Sequence, residues 1–176
     1  CGKRCKALDD MIDQKVRDAY RGRWVLLTAC PPNVGPGIRV SVMLHLPALK
    51  MTSQIEKFVT AAKDADLTVR GLFGEGTDAL GDFYQLSNQV TLGVREEDVV
   101  RELSDNIVPR IVEYEKTARQ VLLEQKPHTL DDKIQRALGV LKSACLISSQ
   151  EALYLLSSVR LGVNLGRVPN LSLATI

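Results

Sequence analysis

Two arginines, Arg39 and Arg70, stand in separate stretches of strand-like alternation, and each lies beside a glycine-rich segment. Pro31-Pro32-Asn33-Val34-Gly35-Pro36-Gly37 precedes the first, and Gly74-Glu75-Gly76-Thr77-Asp78-Ala79-Leu80-Gly81 follows the second. Guanidinium groups offer phosphate oxygens a planar fork of donors, and glycines let backbone N–H groups approach an anion closely. The set suits a phosphate-bearing ligand; it equally suits surface arginines and glycines that serve only turns. Glu75, between two glycines, could orient or deprotonate a nucleophile, or simply be solvated. Cys30, ahead of two prolines, reads either as an activated thiol near cationic groups or as a small buried apolar residue. No Walker loop and no G-x-G-x-x-G is present. Cys1 and Cys5 form a Cys-x3-Cys without a second pair, and His45 and His128 lack ligand spacing, so a metal held by the protein itself is not expected.

The elements that must position these residues follow from periodicity. Ile38, Val40, Val42, Leu44 and Leu46 alternate with Arg39, Ser41, Met43 and His45, which predicts a strand with one apolar face and one face open to a ligand. Leu67, Val69, Gly71 and Phe73 alternate with Thr68, Arg70 and Leu72, so Arg70 points away from its strand's apolar set. Trp24 to Cys30 is a third short apolar run, and Phe83 to Leu92 predicts a further strand or two with an irregularity at Asn88. Helices are expected at about 7–20, ended by Arg21-Gly22-Arg23, and over 52–64. A long one begins at Glu96, its stripe running from Val100 to Val121 with a bend at Pro109. Beyond Pro127 the pattern is helical only: Leu130, Ile134, Leu138, Leu141 and Cys145 form one stripe, and Ala152, Leu155, Leu156 and Val159 another. Ser148 or Ser149 with Glu151 marks a start, and Gly162 a stop. The expected architecture is α+β, strands with crossing helices over 1–126 followed by an all-helical extension over 127–176.

A chain of 176 residues with 45% apolar and 25% charged residues can bury a core, and a net charge of +2 indicates neither disorder nor a nucleic-acid-binding polyelectrolyte. No apolar run approaches the roughly 20 residues that span a bilayer, and the four cysteines are too few and scattered for a disulfide framework, Cys30 and Cys145 lying in apolar stretches. A soluble, cytoplasmic protein is expected. The chain opens on Cys1 and stops at Leu173-Ala174-Thr175-Ile176 without an evident helix stop, which reads as a piece of something longer.

Three ordered blocks then carry a family resemblance: Cys30 to Pro47 (CPPNVGPGIRVSVMLHLP), Val69 to Gly81 (VRGLFGEGTDALG) and Gln85 to Gly93 (QLSNQVTLG). Together they closely resemble the ATP:guanido phosphotransferases, and among these the bacterial protein-arginine kinases, because the Gly-Glu-Gly-Thr loop and the Ser-Asn-Gln-Val-Thr-Leu-Gly run are that group's version. The resemblance covers about residues 8–165 and implies a guanido-kinase, glutamine-synthetase-like catalytic fold, an antiparallel β-sheet flanked by helices. It implies transfer of the γ-phosphoryl group of ATP, bound with Mg2+, to arginine side chains of proteins. Nucleotide contacts would run along Arg39, Val40, Ser41, Val42 and Met43 and along Arg70, Gly71, Leu72, Phe73, Gly74 and Glu75. Glu75 and Cys30 would align and polarise the acceptor guanidinium. The implied partners are protein arginines, stress-response regulators, an activating zinc-binding adaptor, an ATP-driven unfoldase or protease, and a second copy through the helical part.

The departures from that pattern also carry expectations. Pro32 replaces the usual threonine and Pro36 a small residue, stiffening the loop and removing a hydroxyl near Cys30. The family's N-terminal half, with further arginines and the principal catalytic carboxylate, has no counterpart here, nor has the C-terminal Arg-Asp-x-x-Arg-Ala element. The isolated chain is therefore expected to hold at best half an active site. The competing readings are an inactive nucleotide-binding or dimerising regulator, and a kinase of free guanidines such as arginine or creatine.

Overall fold

The computed structural model describes residues 2–16, 20–21, 25–26, 37–71, 79–90 and 93–174. In chain order these form α1 (Gly2–Asp13), β1 (Tyr20–Arg21), β2 (Val25–Leu26), β3 (Ser41–His45), α2 (Pro47–Met51), α3 (Ile55–Asp64), β4 (Leu67–Gly71), a 3-10 turn (Leu80–Asp82) and β5 (Phe83–Asn88). They continue with α4 (Glu96–Arg101), a π-helical stretch (Glu102–Ile107), α5 (Val108–Gln125), α6 (Pro127–Ser143) and α7 (Ser149–Asn164). The architecture is α+β, with an antiparallel sheet of order β3-β5-β4 and helices alone after it. Among the described residues no helix is long and apolar enough to cross a membrane.

The sheet's register decides which side chains meet. Val42 faces Leu86 and Leu44 faces Tyr84 across β3–β5, while Val69 faces Leu86 and Leu67 faces Asn88 across β4–β5. Because successive side chains point to opposite faces, Val42, Leu44, Leu67, Val69, Tyr84 and Leu86 share one apolar face. That face packs on α2, α3, the π-helical stretch and α5 through Leu49, Ala62, Phe58, Leu103, Ile111, Ala118 and Leu122, with Leu86 fully buried at its centre. A second core, of Leu130, Ile134, Leu161 and Val168, joins α6 to α7.

Several elements differ from the periodic reading, each for a physical reason. The first helix runs Gly2–Asp13, earlier than 7–20, with Leu8, Met11 and Ile12 exposed, and Tyr20–Arg21 is a strand paired with Val25–Leu26. The helix expected over 52–64 is α3, beginning three residues later because Ser53 at φ 57 turns the chain just before it, and a short helix not expected from the pattern, α2, precedes it, started by Pro47, whose ring fixes φ and suits a first turn. The long helix expected from Glu96 is divided into α4, the π-helical stretch and α5, so Pro109 stands at the start of a helix and not within one. It sits in the first turn of α5, directly after the π-helical stretch, where a residue without an N–H is best tolerated. Gly162 does not stop α7, which continues to Asn164; a Cβ there would lie 2.7 Å from Ile134 Cγ2 and 3.0 Å from Val168 Cγ2, so this glycine lets α6 and α7 approach. Cys145 falls beyond the end of α6 and is exposed. The start of α7 is as expected, the Ser148 hydroxyl accepting from the Glu151 N–H at 3.2 Å.

Candidate functional site

The face of the sheet opposite the core carries Ser41, Met43 and His45 on β3, Phe83, Gln85 and Ser87 on β5, and Thr68 and Arg70 on β4. Alternation places Arg39, two residues before Ser41, on the same face. Its Nη2 donates to Ser87 Oγ at 3.1 Å. Arg70 faces Gln85, which lies two residues from Ser87 along β5. Strand spacing and rise put the two arginine Cα atoms about 15 Å apart, and the Arg39–Ser87 bond draws one guanidinium toward the other along the central strand. None of the nine described residues on this face is acidic.

Local sequence explains the stiffness of that platform. Asn88, the expected irregularity, continues the ladder with its side chain: Oδ1 accepts from Val40 N–H at 2.7 Å and Nδ2 donates to Ile38 O at 3.0 Å, while its own N–H donates to Val40 O. The approach to Arg39 is thus held although the regular strand begins only at Ser41. Met43 is 44% exposed and Ser41 is also open, so both are available to a ligand on this face. Val40 and Val42 turn their side chains into the core, leaving only main-chain atoms for such a ligand, and Gly71 lies on that opposite parity too. Cys30, Leu72, Phe73, Gly74 and Glu75, and the loop of Pro31 to Pro36, lie outside the described residues.

Two polar clusters at the rim are not signalled by any spacing in the sequence. In the first, Asp82, 2% exposed, accepts from Ser157 Oγ at 2.7 Å and pairs with Lys50 Nζ at 2.9 Å, and Ser157 Oγ also meets His45 Nε2 at 2.8 Å. Burial lowers the His45 pKa to about 4, outweighing the opposing pull of Asp82, with Arg119 and Arg160 adding to the fall. In the second, Glu115, 3% exposed, accepts from Ala48 N–H at 3.1 Å, Leu49 N–H at 3.0 Å and Arg119 Nε at 2.8 Å. Burial raises its pKa despite those hydrogen bonds. Glu115 therefore ties α5 to the first turn of α2, the element that receives the chain as it leaves β3. The phenol of Tyr84 on the core face is pushed up to about 12, chiefly by burial.

Two cavities open behind the sheet. One of about 460 Å³ lies between α3 and α5, lined by Leu49, Phe58, Leu67 and Ile111 among others, and one of about 700 Å³ is lined in part by Lys50, Val59, Tyr84 and Tyr154. Neither lining includes Arg39 or Arg70. Among the described residues no group of three or more His, Cys, Asp or Glu is arranged to hold a metal ion.

An antiparallel sheet backed by helices and followed by a helical extension is the fold this chain shares with guanidino kinases. Residues 1–118 match the family described as ATP:guanido phosphotransferase, C-terminal catalytic domain, and the chain belongs to that family. Residues 127–176 match the Protein-arginine kinase McsB C-terminal domain. The chain is 47% identical over 165 residues to a protein-arginine kinase of Geobacillus stearothermophilus, covering 94% of this chain and 45% of that one. It is 45% identical over 159 residues to a protein-arginine kinase of Halothermothrix orenii, covering 90% and 45% respectively. Among solved structures it is similar to the duplicated taurocyamine kinase of Schistosoma mansoni with bound transition state analog components, with TM-score 0.57, 26% identity, and coverage of 76% of this chain and 19% of that one. It is also similar to a lombricine kinase, with TM-score 0.53, 32% identity, and coverage of 65% and 31%. The chain spans about half the length of the curated relatives it matches.

Proposed function

We propose that this chain supplies part of the catalytic domain, residues 1–126, and the start of the helical domain, residues 127–176, of an ATP-dependent protein-arginine kinase. The observation that carries the reading is the shared face of Arg39 and Arg70, both bordering β5 and backed by a buried core. In phosphoryl transfer the bond from the γ-phosphorus to the β,γ-bridging oxygen breaks, a nitrogen of the acceptor guanidinium bonds to phosphorus and gives up a proton, and ADP leaves. Charge spreads over the transferred group's oxygens as this happens, and fixed cations on both sides stabilise it without reorganising. Arg39 and Arg70 are assigned that role, with Ser41, Met43 and the main chain at Val40, Val42 and Gly71 contacting the nucleotide. Leu72, Phe73 and Gly74 complete the nucleotide contacts, and Glu75 and Cys30 align the acceptor nitrogen.

The described residues of this face offer donors for phosphate oxygens and no carboxylate, so they fit the nucleotide's phosphates and provide no metal site of their own. Mg2+ would enter bound to those phosphates and neutralise part of their charge. Identities of 45–47% to protein-arginine kinases, against 26–32% to kinases of small guanidines, favour protein arginine over a free guanidine as acceptor. The same reading carries a cytoplasmic setting, a zinc-binding adaptor, an ATP-driven unfoldase and self-association through the helical part as partners to test. Incubation of the full-length protein containing this chain with labelled ATP and an arginine-rich protein should give acid-labile phosphoarginine, and Arg70→Ala should lower its yield by at least tenfold. Label transferred equally well by the Arg70→Ala protein, or only to free arginine, contradicts the assignment.

A further inference from the structure

Helix α7 lies in the segment matching the C-terminal helical domain, yet its Ser157, 1% exposed, is bonded to the catalytic sheet. The Ser157 hydroxyl has one proton, which it gives to Asp82 Oδ2, so it accepts from His45 and fixes the tautomer with hydrogen on Nε2. His45 ends β3, opposite Phe83, and Asp82 immediately precedes β5; the Leu46 N–H donates to Asp82 O at 3.0 Å. One hydroxyl therefore holds the ends of both strands at once. Two further contacts seat α7 across the same end of the polar face. Arg160 lies over the Phe83 ring at 5.9 Å, and a Cβ on Gly81 would come within 3.0 Å of Leu153 O. The other end of this strand pair carries Arg39, bonded to Ser87.

We propose that Ser157 is a positioning residue through which the helical segment sets the nucleotide affinity of the arginine face: by bridging His45 and Asp82 it fixes how β5 lies between the two arginine-bearing strands. This rests on the phosphotransfer reading above. Asp82, Arg119 and Arg160 are the charged groups bearing on His45, from the turn before β5 and from α5 and α7, with Lys50 of α2 paired to Asp82; burial disfavours the charged imidazole, and the shared hydroxyl holds it hydrogen-bonded between them. The metabolite-kinase structures similar to this chain match 65–76% of it, and the bridge joins the catalytic match to the segment matching a protein-arginine kinase's own helical domain.

The test uses the full-length protein, with ATP binding measured by calorimetry well below the unfolding temperature. Ser157→Ala should weaken ATP about tenfold, raise KM for ATP while changing kcat at saturation by less than about twofold, and abolish the Nε2–H signature of His45 in ring-nitrogen NMR. Ser157→Thr, which keeps the hydroxyl, should restore both affinity and signature. A Ser157→Ala protein that melts earlier but binds ATP as the parent does overturns the proposal, leaving the bridge a packing feature. Arg70→Ala is the companion: if it abolishes ATP binding while Ser157→Ala is silent, only the positioning role fails. If Arg70→Ala is itself silent, the nucleotide assignment fails with it.

Discussion

Truncating Glu115 to alanine should unfold this protein more readily than any surface change, and the structure says by how much. The carboxylate is 3% exposed and serves three donors, the N–H groups of Ala48 and Leu49 and the Arg119 guanidinium, at 2.8–3.1 Å. Hydrogen bonds to a charged acceptor contribute about 1.5–3 kcal/mol each, but the carboxylate's own desolvation offsets much of that sum. Removing it leaves two buried N–H groups and a guanidinium that is 19% exposed without their acceptor. Breaking one side of a buried pair in this way costs about 3–5 kcal/mol. With an m-value of roughly 2 kcal/mol per molar, the urea midpoint should fall by about 2 M. Glu115→Gln keeps the shape and one acceptor oxygen and should lose about half as much. Because burial raises the Glu115 pKa in the fold, its favourable contribution is complete below the ordinary value of 4.5 and is lost as pH rises through the raised one. The stability advantage of the parent over Glu115→Gln should therefore shrink as pH climbs from 4.5. A midpoint shift under 0.5 M for Glu115→Ala, or an advantage that grows with pH, refutes the reasoning.

Two further predictions follow the same logic. His45 has a folded pKa of about 4 against 6.5 for the free side chain, so its contribution is fully present above pH 6.5 and is lost on acidification toward pH 4. That loss is about 3 kcal/mol, and His45→Gln should flatten the corresponding limb of a stability-versus-pH curve; an unchanged limb assigns it to other groups. Gly162→Ala gains up to about 1 kcal/mol of helix propensity but drives a methyl to 2.7 Å from Ile134 Cγ2. Overpacking of about 1–3 kcal/mol should win, and calorimetry should show a lower Tm; a higher one means α6 and α7 separate without cost.

Alternation made the sheet legible. The period-two pattern of 38–46 and 67–73 separates Arg39 and Arg70 from their apolar neighbours, and the register places both on one face. The α7 cap was legible too, because the Ser148-x-x-Glu151 signature acts over a single turn. Boundaries that depend on one residue's backbone were not: Ser53 at φ 57 separates the short α2 from α3, and nothing about a serine demands a left-handed conformation. Gly162 reads as a stop because a glycine's helical cost is local, whereas its reason for being there, the approach of Ile134, comes from another helix. The His45–Ser157–Asp82 bridge lay beyond sequence reasoning for the same cause. Its members are 75 and 112 residues apart, and no periodicity within one element encodes a hydroxyl supplied by another.

The central claim is that Arg39 and Arg70 serve one polyphosphate, and a double-mutant cycle on ATP affinity in the full-length protein measures it directly. Arg39→Ala and Arg70→Ala should each weaken ATP by about 10- to 100-fold, as loss of a charge-assisted hydrogen bond implies. The pair together should fall short of the product of the two, because both bind the same ligand group. The exposed Arg136, which pairs with Asp132 four residues away, serves as a control whose replacement should leave affinity unchanged. Single substitutions that leave ATP binding intact, or that weaken it no more than Arg136→Ala does, contradict the account.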